Sequence, residues 1–325
     1  MLNSKIGQMV LAIAALAVVV IALMLLARIA DRLPEKWRRW LAPAIFAGPA
    51  LIMLGVGLIY PAIRTTIMSF YNSRSTEFVG MENYKWVFTN ADSLQSFVNT
   101  FWWVLLVPLV STAIGLIYAV LIDKSRFEKV AKTLLFMPMA ISFVGAGIIW
   151  KFVYDYKGAF REQIGLGNAL ITAFGGEPVR FLQDAPWNTF FLIIVMIWIQ
   201  AGFAMVLLSA AIKAVPDDIV EAARLDGVNA WQMFKNITIP SIRPTLVVVL
   251  TTITIATLKI FDIPRTMTGA KYGTQVLANQ MYDQSFTFAD NGHGSALSVI
   301  IFILVIPIVV YNVRQMLLNR EVRGA

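Results

Sequence analysis

Glu221-Ala222-Ala223-Arg224-Leu225-Asp226-Gly227, closed by Ile237-Thr238-Ile239-Pro240, forms a polar island between two long apolar segments. Pro216 sits where a helix would begin, and proline at the first helical position loses no hydrogen bond. Asp217 and Asp218 then put negative charge at the positive end of the helix dipole. Ile219, Ala222 and Ala223 stand at i, i+3 and i+4 and are expected to share a face. Gly227 suits the left-handed position that ends a helix. Asn229 and Gln232 have the spacing of a capping box for a second helix. Ile239-Pro240 and Arg243-Pro244 are expected to stop that helix before the next apolar run. The pattern reads as helix, glycine turn, short helix, with a small alanine face that another surface could approach closely. An amphipathic linker lying on a membrane would share these features.

The rest of the composition is that of a membrane protein. Hydrophobic residues make up 58% of the chain and charged residues 14%, against roughly a quarter charged in soluble domains. The net charge is +8, but the basic residues are scattered along loops. No basic stripe interleaved with aromatics appears, so a membrane surface explains them better than nucleic acid. There is no cysteine, which excludes disulfides and thiolate metal sites.

A spanning helix needs roughly 20 apolar residues, and about seven segments qualify. They lie near Ile6–Ala27, Pro43–Phe70, Phe97–Ile122, Ala131–Tyr154, Thr189–Val215, Thr245–Ile263 and Ala296–Leu317. The first has too long an apolar run for a usual signal peptide and is expected to be retained. Orientation follows from the basic loops. Arg28, Arg32, Lys36, Arg38 and Arg39 follow the first span; Lys124, Arg126, Lys129 and Lys132 follow the third; Arg314, Arg320 and Arg323 lie in the tail. With seven spans these share a side with Glu221–Pro240. That side is expected to be cytoplasmic, with the N-terminus outside. Lys151, Lys157 and Arg161 fall on the outer side and weaken the bias. Trp102, Trp103, Trp150 and Trp187 are expected at the outer interface.

Enzyme chemistry is missing. No phosphate-binding Gly-x-x-x-x-Gly-Lys-Ser/Thr loop is present, so nucleotide hydrolysis is not expected of this chain. His293 is the only histidine and reads as a loop residue; no metal ligand set or paired carboxylates stand out. Gly55-x-Gly57 is expected to serve close helix packing. Lys259 and Asp262 are three apart on the sixth span and could pair. Gln200, Gly202 and Phe203 are expected to interrupt the fifth span near its middle. Thr251, Thr252, Thr254 and Thr257 are expected to line the sixth, where they could also bond their own backbone. Hydroxyls and an amide beside aromatic rings suit a sugar.

The polar island resembles the EAA motif of permease subunits in ATP-binding-cassette importers. That pattern is Glu-Ala-Ala, three residues, Gly, nine residues, Ile, one residue, Leu-Pro. Glu221, Ala222, Ala223, Gly227, Ile237 and Pro240 fall on it, and Ile239 replaces the usual Leu. Beyond about Ala42 the chain is similar to maltose-type permeases and especially to alpha-glucoside permeases. The resemblance implies an all-α polytopic bundle. Residues 43–325 would form a six-helix importer core containing the coupling loop 216–240, and residues 1–42 an added N-terminal transmembrane helix and basic loop. It implies that Glu221, Ala222, Ala223, Asp226, Gly227, Ile237, Ile239 and Pro240 dock on a cytoplasmic ATPase dimer, where ATP-Mg is bound. It also implies a second permease subunit and an extracytoplasmic substrate-binding protein, all at a bacterial inner membrane. No metal and no cofactor is expected in this chain. In maltose-type permeases the fifth and sixth helices touch the sugar. Their matching positions here are Met196, Ile199, Gln200, Phe203, Ile253, Ala256, Thr257 and Ile260, of which Gln200, Phe203 and Thr257 keep sugar-compatible chemistry. The alternatives are an ion-driven secondary transporter, an integral membrane enzyme, or a permease for a non-sugar solute such as glycerol phosphate.

Overall fold

A computed structural model describes residues 34–122, 126–158 and 161–324, with isolated positions between 7 and 28. Most of the expected first span, Ile6–Ala27, lies outside the described residues. The chain forms two compact units, residues 1–67 and 68–325. Among the described residues every regular element is helical, and a single antiparallel bridge joins Tyr71 to Phe78.

In the first unit, α1 (Glu35–Leu54) runs through a π-helical turn, Gly55–Ile59, into α2 (Tyr60–Met68). Residues Pro43–Met68 are long and apolar enough to cross a membrane. No atom lies within 4 Å of a Cβ added at Gly55 or Gly57. Both sit in the widened turn, where the Tyr60 N–H reaches back to the Gly55 carbonyl.

The second unit contains α3 (Glu82–Val87), α4 (Ala91–Ile122), α5 (Glu128–Phe136), α6 (Phe143–Val153), α7 (Leu166–Ala173) and α8 (Trp187–Lys213). It continues with α9 (Asp217–Leu225), α10 (Ala230–Met233), α11 (Ile239–Leu258), α12 (Asp262–Thr268), α13 (Leu277–Tyr282) and α14 (Asn291–Gly324). Among the described residues of the whole chain, five helices are long and apolar enough to span, and a bent pair makes a sixth.

That bent pair corrects the continuous span expected over Ala131–Tyr154. Residues Glu128–Ala140 and Phe143–Val153 meet at 103°. Pro138 lies in a 3-10 turn, Met137–Ala140, and Ile141 is extended. Ser142 then starts a new helix by accepting the Gly145 N–H at 3.1 Å, the ordinary action of a serine N-cap.

The sixth span also differs. Pro240 and Pro244 do not stop the helix: it runs continuously from Ala230 to Leu258. Proline removes a backbone donor and crowds the preceding turn. Here a π-helical turn, Phe234–Thr238, widens the helix just before Pro240, and the Ile239 N–H bonds the Phe234 carbonyl. The span also ends early. Lys259 caps α11 and Asp262 opens α12, so the two do not share a helix. No ion pair joins them among the described residues.

α8 is the centre of the bundle, with 61% of its most apolar stretch buried. Gly202 does not interrupt it. A side chain there would collide with the backbone carbonyl of Leu135 on α5. A Cβ on Gly115 of α4 would lie 2.5 Å from the Ala204 Cβ and 2.7 Å from the Met205 nitrogen of α8. Small residues let membrane helices approach this closely. Trp103 is fully buried in the same core rather than interfacial, whereas Trp187 is exposed.

The loops expected outside are built rather than loose. Asn83 donates to the Ser69 and Tyr71 carbonyls at 2.8 and 2.7 Å. Asn99 donates to Gly273 and Gln275, and Asn188 to the Tyr272 carbonyl. Asn168, fully buried, donates to the Asp155 and Val179 carbonyls and accepts the Val179 N–H at 2.7 Å. Buried amides thus satisfy loop backbone that lipid and core cannot.

Overpacking a tight contact costs about 1–3 kcal/mol. Gly202→Ala and Gly115→Ala are therefore expected to lower the thermal unfolding temperature of the purified protein, whereas Gly48→Ala, in open space, leaves it unchanged. Equal melting of all three variants would contradict the close-packing role of α8.

Candidate functional site

The polar island folds as a two-part turn. α9 begins after Pro216 and carries Asp217 and Asp218 in its first turn. Gly227 adopts φ +77°, and the chain closes with the Gly227 N–H on the Arg224 carbonyl and the Val228 N–H on the Ala223 carbonyl, both at 3.1 Å. This paired arrangement is the Schellman motif, which needs a left-handed residue at that place. Asn229 then accepts the Gln232 N–H at 2.9 Å while the Gln232 side chain accepts the Asn229 N–H at 2.9 Å. Two reciprocal caps therefore fix the angle between α9 and α10.

The exposed face differs from the one expected. Ala223 is only 6% exposed, because the turn brings Val228 back to it. Glu221, Ala222, Asp226 and Pro240 are exposed, and Ile237 and Ile239 are half-buried. The prominent apolar groups are Leu225, 89% exposed, and Trp231, 68% exposed, whose ring tilts against Phe234 at 5.7 Å. Sequence reasoning passed over both. Their signal was available: a leucine and a tryptophan in a loop otherwise polar.

The loop leaves α8 at a charged anchor. Lys213 and Lys132 both reach one oxygen of Glu128, at 2.5 and 2.7 Å, and Lys132 also bonds the Ser209 hydroxyl. The anchor ties the start of α5 to the end of α8, three residues before Pro216 opens the loop.

Of the residues expected along a substrate path, all but Ile260, which follows the end of α11, lie on the two packed helices α8 and α11. Met196, Ile199, Ile253 and Ile260 are buried in one apolar cluster, with Phe203 and Ala256 against it. Thr257 is fully buried and donates to the Ile253 carbonyl at 2.7 Å, so its hydroxyl serves its own backbone. Thr251 and Thr254 do the same with Val247 and Leu250. Gln200 is 8% exposed, and its amide makes no hydrogen bond among the described residues. Beside it, Ala201 and Gly202 help line an aromatic cavity of about 280 Å³ with Tyr118, Trp150 and Trp198. Neither Gln200, Phe203 nor Thr257 lines that cavity.

His293 is not a free loop residue. It sits in the first turn of α14, stacked on Trp86 at 3.9 Å, with its Nδ1 2.9 Å from the Asp290 carboxylate. Among the described residues no group of three or more histidine, cysteine, aspartate or glutamate side chains could hold a metal ion.

Helices long and apolar enough to span a membrane, packed around one buried helix with a capped polar turn between two of them, define a multi-pass membrane protein. The chain belongs to the family described as the binding-protein-dependent transport system inner membrane component, which matches residues 111–324. It is 49% identical over 285 residues to the alpha-glucoside transport system permease protein AglF of Rhizobium meliloti, covering 87% of this chain and 84% of that protein. It is 48% identical over 279 residues to the osmoprotective compounds uptake permease protein GgtC of Synechocystis, covering 86% of this chain and 100% of that one. A chain from the crystal structure of a bacterial alginate ABC transporter, in complex with an alginate-pentasaccharide-bound periplasmic protein, superposes with a TM-score of 0.73. That match covers 85% of this chain and 93% of the other at 23% identity, and it speaks to fold alone. The chain is thus a permease component of a binding-protein-dependent transport system, resident in the inner membrane.

The two caps make a local stability prediction. Asn229→Ala removes one cap bond and costs the turn about 0.5–2 kcal/mol. Limited proteolysis of the purified protein is expected to cut faster between 216 and 240 than in the parent, with cleavage elsewhere unchanged. An unaltered cleavage rate would show that the capping box does not hold the turn.

Proposed function

We propose that the chain is a translocation subunit of a sugar importer of the ATP-binding-cassette class, coupled to its ATPase through residues 216–240. The observation that carries this reading is the doubly capped turn, which presents Leu225 and Trp231 outward beside Glu221, Ala222 and Asp226. A rigid projection with exposed apolar tips is what a partner needs in order to push on a bundle. Glu221, Ala222, Ala223, Gly227, Ile237, Ile239 and Pro240 shape that projection. The permease relative of an alpha-glucoside system supports a glucoside substrate, and the relative that takes up osmoprotective compounds supports an osmoprotective solute as the second reading.

ATP-Mg binds and is hydrolysed on a separate cytoplasmic ATPase dimer, since this chain has no phosphate loop. A second permease subunit completes the pathway, and an extracytoplasmic binding protein delivers the sugar. Residues 43–325 form the importer core, and the helix within residues 1–42 is an addition to it. The C-terminus and residues 216–240 face the cytoplasm, and the N-terminus faces outward. An ion-driven mechanism is disfavoured because Lys259 and Asp262 fall on different helices and make no pair among the described residues.

The sugar passes Gln200, Phe203 and Thr257. The Gln200 amide makes no side-chain hydrogen bond among the described residues, so it has both donors and an acceptor to offer a sugar hydroxyl.

ATP-driven uptake and binding-protein-stimulated ATPase activity of the reconstituted complex separate these roles. Gly227→Pro destroys a left-handed turn and Glu221→Lys reverses an exposed charge; each is expected to lower uptake about tenfold or more, equivalent to about 1.4 kcal/mol of coupling. Gln200→Leu is expected to lower uptake in a sugar-dependent way while stimulated ATPase persists. Parental uptake by Gly227→Pro and Glu221→Lys would refute the coupling role, and parental uptake of every sugar by Gln200→Leu would refute the path.

Topology has its own test. Glu177 and Asn229 are exposed, and the chain has no native cysteine. Glu177→Cys is expected to react with an impermeant thiol reagent in intact cells, and Asn229→Cys only after the cells are opened. The reverse pattern would invert the orientation.

A further inference from the structure

Three aromatic rings stand in line at the end of α11 remote from the polar turn. Phe261, Tyr282 and Phe286 form a ladder, with ring centroids 5.1 and 5.0 Å apart and tilts of 52° and 41°. Rings in such contact ordinarily close a core, where their large area is buried. Here Tyr282 is 37% and Phe286 71% exposed. Packing within the chain therefore does not account for the outer rungs.

An aromatic belt at the membrane surface does not account for them either. Belts are made of Trp and Tyr, whose polar tips reach water beside the lipid. Two of these three rungs are Phe, and an ion pair lies against the middle one. The Arg265 guanidinium covers the Tyr282 ring at 5.2 Å, and its Nη1 donates to both oxygens of Asp283 at 2.9 and 3.2 Å. Thr287 donates to the same carboxylate at 3.1 Å. Ionised groups turned toward lipid are costly. The other guanidinium nitrogens of Arg265 make no hydrogen bond among the described residues, so donors remain on the face of the ladder.

The rungs are held in place. Residues Leu277–Gln280 of α13 are buried, and the Leu277 N–H donates to the Thr100 hydroxyl at 3.0 Å. After Tyr282 the helix widens into a π turn, Asp283–Thr287, an irregularity found mostly at functional sites. That turn carries Phe286 alongside Tyr282. Asn279, fully buried, donates to the Phe261 carbonyl at 3.1 Å and so ties the first rung to the helix that bears the second. Phe261 directly follows Ile260, the last position expected to touch the solute, so the ladder continues that row beyond the end of α11.

We propose that Phe261, Tyr282 and Phe286 form a reception subsite for a glycosyl ring of the transported sugar, at the mouth of the route between α8 and α11. The proposal rests on the sugar-importer reading. The flat apolar face of a pyranose lies on a rung, and its hydroxyls meet the spare N–H groups of Arg265 and the lone pairs of Asp283. With three rungs in contact, a sugar moves from one to the next without giving up aromatic surface. An acyclic polyol has the hydroxyls but no flat face, and the ladder discriminates against it.

The test uses the complete complex in proteoliposomes with its binding protein. The probes are maltose, trehalose and sucrose, with mannitol as the acyclic control. Tyr282→Ala with Phe286→Ala is expected to lower uptake of the sugars the parent carries about tenfold or more. ATPase activity stimulated by the binding protein should persist, which shows that the variant folds and assembles. Tyr282→Phe with Phe286→Tyr keeps both rings and should import as the parent does. Contact is read separately. The chain has no native cysteine, and Thr287 is exposed beside the ladder. Reaction of Thr287→Cys with an impermeant maleimide, without binding protein, is expected to slow about twofold or more in a carried sugar, the factor for half-occupancy, and not in mannitol at the same concentration. Parental uptake by the alanine pair, in a complex that carries sugar, would overturn the ladder alone. So would loss of stimulated ATPase together with uptake, which would give the rings to assembly, and so would labelling that no carried sugar slows. A parental complex that carries none of the three sugars would overturn the glucoside reading itself, and this proposal with it.

Discussion

The contact of α8 with its neighbours at Gly202 and Gly115 governs the rest of the structure. In lipid there is no hydrophobic drive to push helices together, so van der Waals contact must do it, and contact is closest where side chains are absent. Gly202 lies against the Leu135 carbonyl, and Gly115 lies against Ala204 and Met205. Through these two points α8 is clasped between α5 and α4. The polar turn leaves directly from the end of α8, so a helix without slack gives the turn a fixed footing. The Glu128 carboxylate, shared by Lys132 and Lys213, adds a second fixture at that end. Exposed ion pairs contribute little stability individually. Their value here is geometric, since they bind the first turn of α5 to the end of α8, just ahead of the polar turn.

The breaks in the helices follow one rule. Backbone inside a membrane must find partners within the protein. Where proline removes a donor, a local rearrangement recovers what it can. Before Pro240 the helix widens by a π turn and continues. After Pro138 it cannot continue, and Ser142 caps a new helix set at 103° to the old one. Both sites lie in spans that touch α8 or lead into the loop. Changes of direction are therefore placed in the spans around α8 and not in α8 itself, which is unbroken from Trp187 to Lys213.

Much of the polar turn was legible because its signals are local. A proline before two aspartates, a glycine six residues after Glu221, and an Asn-x-x-Gln box each act within one turn of helix, and each formed. Span positions were legible for the same reason, since hydropathy is a sum over neighbours. What misled was anything decided by distant chain. Gly202 looks like a helix breaker in isolation and becomes a contact point only once Leu135 is placed beside it. Pro240 looks like a stop signal because the widened turn ahead of it has no sequence signature. Lys259 and Asp262 have helical spacing, but the chain turns between them at Ile260 and Phe261. The Ser142 cap was readable from Ser-Phe-Val-Gly, yet an apolar stretch long enough to span conceals it.

The polar residues of the two helices expected to guide the solute divide on physical grounds. Thr251, Thr254 and Thr257 each spend the hydroxyl proton on a carbonyl one turn back, which costs the helix little and leaves only lone pairs to offer. A sugar hydroxyl can still donate to such an oxygen, but the threonine cannot donate in return. Gln200 is different. Its amide has both donors and an acceptor, lies in the most buried helix, and makes no hydrogen bond among the described residues. Within the pair of helices its amide, unlike the threonine hydroxyls, keeps donors as well as an acceptor to offer a passing hydroxyl. On the proposed route, selectivity is expected to depend more on the amide at position 200 than on the threonines.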